Sequence, residues 1–444
     1  MKTTLDQSPP AGNALAQPGT PSAIARAADR VMAHLRLPLF RNGYTLLFNG
    51  AATSGLGLIY WALAARLYPA AFVGLNSALV AAMLLLAGIA QLSLNNVLVR
   101  FIPISGPLTR RMVLYSYLAS GLAAAVVSIV FMWGIDFWSP ALRFLNQSWA
   151  WQWSFALAIV AWCIFSLQDS VLTGLRQTVW VPIENTVFAI VKIILLVLLA
   201  GWLAQAGVFL SWIIPVAMSL LPVNALIFGR LLPAQATPPR AVAPDLPQIL
   251  RYAGSNYVGS LLFLAYTNLL PLLAANRAGA EATAYFYIPW IISGGLQLIA
   301  GNLSISLTVE AAVQHEQLRS YCRRVLKQSF LLLTPIVAVI AVGAPWLLRL
   351  FGPTYALQGT GLMRWLALAA LPNVIVVLAL SIARVQHRSG WVIFVQGTVC
   401  LLALGISYAL LPTYGIAAVG WAWFASQTLT AAILVLTLVR PILR

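Results

Sequence analysis

The chain has 444 residues, 61% of them hydrophobic and only 8% charged. Soluble proteins carry about 25% charged residues, so a large soluble core is excluded and the composition describes an all-α polytopic membrane protein. The formal charge of +17 invites a nucleic-acid reading, but the placement of the basic residues gives it another origin.

Residues 1–38 form an expected cytoplasmic tail. Positions 1–21, rich in Pro, Ala, Gly, Thr and Gln, read as disordered. From Ser22, the residues Ile24, Ala28, Val31 and Leu35 share one side of a helix, with Arg26, Arg30 and Arg36 off it. That pattern fits either an amphipathic helix on an anionic leaflet or a basic tail that sets topology. Twelve apolar segments follow, at 42–65, 72–99, 112–134, 151–175, 179–204, 207–229, 252–275, 282–310, 325–348, 361–383, 389–411 and 415–438. Each is long enough for the ~20 residues that span a bilayer.

The first span is not uniformly apolar. Asn42, Thr45, Asn49 and Thr53 recur at helical spacing and share one face, and the second span closes with Gln91, Ser93, Asn95 and Asn96 before Arg100. With the N-terminus inside, twenty basic residues fall on the cytoplasmic side and four outside (Arg66, Arg143, Arg277 and Arg349), leaving Lys192 and Arg364 within spans. This positive-inside bias explains the basic charge without DNA or RNA and places both termini in the cytoplasm. No cleavable signal peptide is expected, the first span serving as the insertion signal. The loop 135–150, with Trp138, Trp149 and Trp151 near its ends, reads as an outer interfacial belt.

Residues 233–248 are proline-rich and lack an apolar period, which makes them a cytoplasmic linker between an N-terminal half at 39–232 and a C-terminal half at 249–444. Beyond it the pattern restarts. Arg41 and Arg251 precede the first and seventh spans, 210 positions apart, and the connector Leu67–Gly74 maps by the same offset onto Arg277–Ala284. The seventh span repeats the polar stripe with Asn256, Ser260 and Thr267, and the eighth carries Ser293, Gln297, Gly301, Ser304 and Thr308. Six plus six spans imply parallel repeats around a central cavity, where transporters of this kind hold substrate. These stripes fit a wet path or helix–helix packing equally well. Prolines inside spans, Pro182, Pro215, Pro222, Pro271, Pro289, Pro335 and Pro372, mark candidate kinks. Cys163, Cys322 and Cys400 have no paired spacing, so neither disulfides nor a metal site is expected.

The hairpin from Arg41 to Pro103 carries a family resemblance. Asn42–Gly43 leads the first span, which ends Tyr60–Trp61–Ala62–Leu63–Ala64–Ala65–Arg66–Leu67–Tyr68; Val73–Gly74–Leu75 follows, then Gln91–Leu92 through Asn95 to Val99–Arg100–Phe101. With its twelve spans, the chain resembles the Wzx-type oligosaccharide and polysaccharide flippases of the multidrug/oligosaccharidyl-lipid/polysaccharide exporter superfamily. The motif match covers about sixty residues; the architectural match covers nearly everything after residue 38. The resemblance implies a bacterial inner-membrane protein that moves undecaprenyl-diphosphate-linked oligosaccharide to the periplasmic leaflet by alternating access. The product would be O-antigen, exopolysaccharide or capsule, and the partners membrane lipids, glycosyltransferases and a polysaccharide polymerase.

Such a carrier needs a wet path and positive charge for a diphosphate. Lys192, deep in the fifth span, is the sharpest candidate, because a charge at that depth is costly and marks function or a buried ion pair. Asp169 and Glu184 are its candidate partners, for an ion pair with Lys192 or Arg176 or for ion coupling. Arg41 and Arg251 at the two inner entrances, Asn49 and Gln297 on the stripes, and Arg364 near the outer end of the tenth span complete the candidate path. Two other classes stay open. A cation-coupled multidrug exporter of the same superfamily would carry a deep acidic residue in the first or seventh span, and neither contains one. A membrane glycosyltransferase or polymerase would need clustered carboxylates, whereas the nine acidic residues are scattered. No Gly-rich phosphate loop is present, so ATP hydrolysis is not expected; with the carboxylates scattered, the chain is read as a carrier and not an enzyme, with no cofactor.

Overall fold

In a computed structural model, residues 38–234, 245–313, 318–386 and 388–439 are described. The tail 1–37, with its candidate amphipathic helix, and most of the linker lie outside them. The described chain is helical, without strands among the described residues. The N-terminal half comprises α1 (Pro38–Leu67), α2 (Ala70–Ala90), α3 (Leu94–Ser105), α4 (Thr109–Trp133), α5 (Trp149–Gly174), α6 (Trp180–Ala200) and α7 (Gly207–Leu226). The C-terminal half comprises α8 (Leu246–Ala278), α9 (Ala280–Val313), α10 (Leu318–Arg349), α11 (Pro353–Leu368), α12 (Ala370–Val385), α13 (Ser389–Tyr414) and α14 (Ala417–Leu434). Among the described residues nine helical runs are long and apolar enough to cross a membrane, or ten with the bent pair α11–α12 taken as one. The 30-residue α1 and 34-residue α9 bring the long spans to twelve.

Local chemistry sets the helix ends. Ser148 caps α5, its hydroxyl accepting from the Ala150 N–H at 3.2 Å. Pro247 in the first turn of α8 occupies a position whose N–H would have no partner anyway. The α8–α9 turn is made at Gly279, whose φ of +90° is open to glycine at no steric cost. Trp138 and Trp149 are exposed at the ends of the 135–148 segment, as an interfacial belt requires, while Trp151 is half-buried edge-on against Phe144.

The repeat extends to every span. Ala70 and Ala280 start α2 and α9, and Gly207 and Ala417 start α7 and α14, each pair 210 positions apart; α8, α10 and α13 start 208 or 209 positions after α1, α4 and α6, and α11 starts 204 after α5, while α3 and α12 begin at breaks that the other half lacks. The halves break at different places, which corrects two expected spans. The second, read as one run over 72–99, stops at Ala90 and resumes at Leu94, with Leu92 and Ser93 in the left-handed region (φ 51° and 60°). The tenth, read as 361–383, begins at Pro353 and bends by 41° between α11 and α12, immediately before Pro372. Pro372 has no N–H to tie α12 back to α11, so the bend falls there.

The halves meet along α2, which packs on α8 and α9. A Cβ on Gly74 would overlap the Ala280 carbonyl, so α2 and α9 touch backbone to backbone. This contact lies at the end of the bundle opposite the start of α1 and the end of α14, the far end below. Two further links close the far end. Arg66 Nε donates to the Leu350 carbonyl at 2.7 Å. The Asn276 amide donates to the Trp138 carbonyl at 3.1 Å and accepts from the Ala141 N–H at 3.0 Å.

Candidate functional site

Between the halves lies a cavity of about 1400 Å³. Its wall joins α1, α2, α3, α6 and α7 of one half to α8, α9, α12, α13 and α14 of the other. Toward the far end it is roofed by aromatic rings. Trp61 meets Tyr287 edge-on at 4.7 Å, Trp423 meets Trp290 at 5.0 Å, and Tyr266 tilts against Trp423 at 5.4 Å. Toward the opposite end the lining reaches Arg100 within α3, Tyr252 near the start of α8, Arg384 at the end of α12 and Arg388 just before α13. The cavity therefore runs from a basic mouth to an aromatic roof.

Its polar lining consists largely of neutral groups on helix faces. Thr53 of the first stripe, Ser260 and Thr267 of the seventh, and Gln297 and Gly301 of the eighth all line it. Asn373, Gln396 and Gln427 add amides from the C-terminal half: Asn373 Nδ2 donates to Gln427 Oε1 at 3.1 Å, and Tyr266 Oη donates to Gln396 Oε1 at 3.1 Å. The Asn373 carbonyl oxygen is buried and has no partner among the described residues. Gln91, Ser93 and Asn95 line the cavity from the broken helix. Tyr257, from the other half, donates to the Ile89 carbonyl beside the break at 2.8 Å. Ser293 instead packs helices, its hydroxyl on the Leu366 carbonyl at 3.4 Å.

Four basic residues line the cavity, Arg100, Lys192, Arg384 and Arg388, and no acidic residue does so among the described residues. The three arginines are exposed, and the Arg100 guanidinium stacks on Tyr252 at 4.3 Å. Lys192 is different. It stands ~18 Å along α6 from the helix start and is only 5% exposed. Glu184, Phe188, Lys192 and Leu196 recur every four residues and form the buried stripe of α6. The Lys192 ammonium sits 4.2 Å from the ring centre of Trp212, 4.5 Å from Tyr60 and 5.0 Å from Phe188. The Tyr60 hydroxyl fixes the cage, bonding the Val208 carbonyl at 2.9 Å and Ser211 Oγ at 2.8 Å. A central charge costs roughly 2.5–3.5 kcal/mol on insertion scales. Three ring faces at about 0.5–2 kcal/mol each offset much of that.

The candidate ion pair of Asp169 or Glu184 with Lys192 or Arg176 is not formed among the described residues. Glu184 lies two turns from Lys192 on the same stripe, with Phe188 between them, and the ion pair found among the described residues is Arg143–Asp136 at 2.8 Å. Asp169 accepts from the Asn185 amide at 3.1 Å, while both oxygens of the buried Glu184 carboxyl lack a partner. Neither carboxylate lines the cavity, and Arg176 is exposed with a left-handed φ of 59°. Arg251 and Arg364 are exposed and off the cavity wall, with Arg364 Nε donating to the Ala341 carbonyl at 3.1 Å. Arg41 and Asn49 belong to α1, but their side chains, like those of Asn256 and Thr308, lie outside the described residues. Arg100, Arg384 and Arg388 belong to the twenty cytoplasmic charges of the positive-inside count; a basic residue near a span end looks the same in sequence whether it faces lipid headgroups or a cavity. The aromatic cage had no local signal, since its rings come from positions 60, 188 and 212.

Twelve long helices in two repeated halves around a polar cavity define the fold of a class of membrane transporters, and solved examples superimpose on most of the chain. An inward-facing multidrug resistance MATE family transporter of the MOP superfamily matches with a TM-score of 0.69 at 15% identity, covering 88% of this chain and 94% of its own. The lipid II flippase MurJ in an inward closed conformation matches with a TM-score of 0.68 at 11% identity, covering 90% and 89%. An outward-facing MATE transporter of the same superfamily matches with a TM-score of 0.61 at 14% identity, covering 91% and 95%. No family model matches the chain, and no curated protein matches it in sequence. At these identities the likeness is one of fold.

Proposed function

We propose that the protein flips undecaprenyl-diphosphate-linked oligosaccharide across the bacterial inner membrane, by alternating access, for surface polysaccharide synthesis. The observation that carries this reading is the charge of the cavity, four basic residues and no acidic one among the described lining residues. A diphosphate would be met at the mouth by Arg100, Arg384 and Arg388 and deeper by Lys192. The amides and hydroxyls of Asn373, Gln427, Gln297 and Thr267 would meet the sugar hydroxyls. Export of negative charge from an inside-negative cell is favoured by ~2.3 kcal/mol per charge per 100 mV, so the potential contributes to direction. In this reading the halves 39–232 and 249–444, joined by the linker 233–248, rock about their contact. The termini and the basic mouth face the cytoplasm, where glycosyltransferases supply the cargo, and a polymerase consumes it outside.

The second reading, a cation-coupled multidrug exporter, draws on the aromatic roof, which suits flat apolar ligands, and on the buried Asp169 and Glu184. Against it, a cationic drug would meet four basic residues in the cavity and no carboxylate among the described ones. The leaflet distribution of lipid-linked sugar in a deletion strain separates the two. Accumulation on the inner leaflet, relieved by the intact gene, is expected; an undisturbed outward supply would remove the flippase reading.

A further inference from the structure

Building on the reading of the cavity as a path for anions, we propose that Lys192 is its charge selector, a built-in cation that occupies an aromatic cage and so keeps organic cations out. An ammonium faced by three rings within 5.0 Å has the geometry by which proteins recognise alkylammonium ligands. Here the ligand is covalently attached. Lys192 has no carboxylate and no hydrogen-bond acceptor among the described residues, so the rings are its binding site.

The cage is rigid and reachable. Tyr60 is held by its bonds to Val208 and Ser211, and Trp212 is wedged by Trp162 at 5.4 Å and by Phe188 at 6.2 Å. Both Lys192 and Trp212 line the cavity, so a ligand already inside could enter a vacated cage without rearranging helices. Lys192 thus acts twice. It supplies positive charge for an anionic head group, and it fills the place where a cationic cargo would gain most.

The test uses the purified full-length protein in detergent, titrated calorimetrically with tetramethylammonium. Lys192→Ala empties the cage and should bind this cation at least about tenfold more tightly than the wild type, a difference of ~1.4 kcal/mol. Lys192→Met removes the charge but refills the cage with a neutral chain and should gain little. Adding Trp212→Leu to Lys192→Ala should erase the gain. Equal binding by the wild type and Lys192→Ala would overturn the proposal. So would an equal gain in Lys192→Met, which would assign the effect to cavity charge rather than to the cage. Lys192→Ser, read in the same way, serves where the alanine variant does not purify as a folded protein. The flippase reading is untouched by either result, because no saccharide enters the experiment; leaflet accumulation in the deletion strain judges that reading separately.

Discussion

Asn276 is the most economical place to perturb the closed far end. Its side chain, on α8 of the C-terminal half, makes two hydrogen bonds to the backbone of the 135–148 segment of the other half. A net protein hydrogen bond is worth about 0.5–1.5 kcal/mol, so Asn276→Ala removes roughly 1–3 kcal/mol from the closed arrangement. That is a factor of about 5 to 150 in the ratio of open to closed far ends. Asn276→Asp keeps the acceptor and loses the amide donor, so its effect should be intermediate. A reporter at Thr267→Cys lines the cavity, and the native cysteines are buried. In proteoliposomes, a membrane-impermeant maleimide applied from the far side should label it at least about five times faster in the Asn276→Ala background. An unchanged rate, or a rise only from the opposite side, would refute the assignment of these two bonds as a latch.

Gly74→Leu should destabilise the protein by about 1–3 kcal/mol or push α2 off α9, because its side chain collides with the Ala280 backbone; thermal unfolding in detergent measures this, and an unchanged midpoint would show the contact to be soft. Glu184→Leu should leave the fold intact and raise thermal stability by about 1–3 kcal/mol, since it removes a buried carboxyl whose oxygens have no partner; a drop in stability would show that the carboxyl holds a partner essential to the fold. Cysteines at the exposed Gln147 and Ser320 should be labelled from the periplasmic and cytoplasmic sides respectively; the reverse pattern would invert the topology.

The spans were legible because hydropathy is a long-range average that tolerates local irregularity, and the two-half plan because Arg41 and Arg251 keep the repeat offset. The break at 91–93 was not legible. Gln91–Leu92–Ser93 contains neither Gly nor Pro, and the two left-handed residues are accompanied by a contact from far along the chain, Tyr257 on the Ile89 carbonyl. The bend before Pro372 left a trace in sequence, but the proline marked a candidate kink and not its angle. Lys192 stood out because a lone charge inside an apolar run is rare. What surrounds it could not be read, since opposite charge is the default expectation for a buried amine, and here ring faces take that place. Thr53, Ser260, Thr267 and Gln297 share the cavity wall, whereas Ser293 on the same helix as Gln297 packs inward; positions four apart on a helix still differ by about 40° in direction, which is enough to separate wall from packing face.

The Gly74–Ala280 contact has a mechanical consequence. It lies four residues from the start of α2 and sixteen from its end, which is ~6 Å against ~24 Å along the axis. The same helix is gripped a second time near its other end, where a Cβ on Gly88 would meet the Leu264 side chain. The two grips differ in stiffness: the first is backbone against backbone, the second closes on the far end of a flexible side chain. Relative motion of the halves therefore costs less at the Gly88 end, beside the break and the basic mouth, than at the Gly74 end.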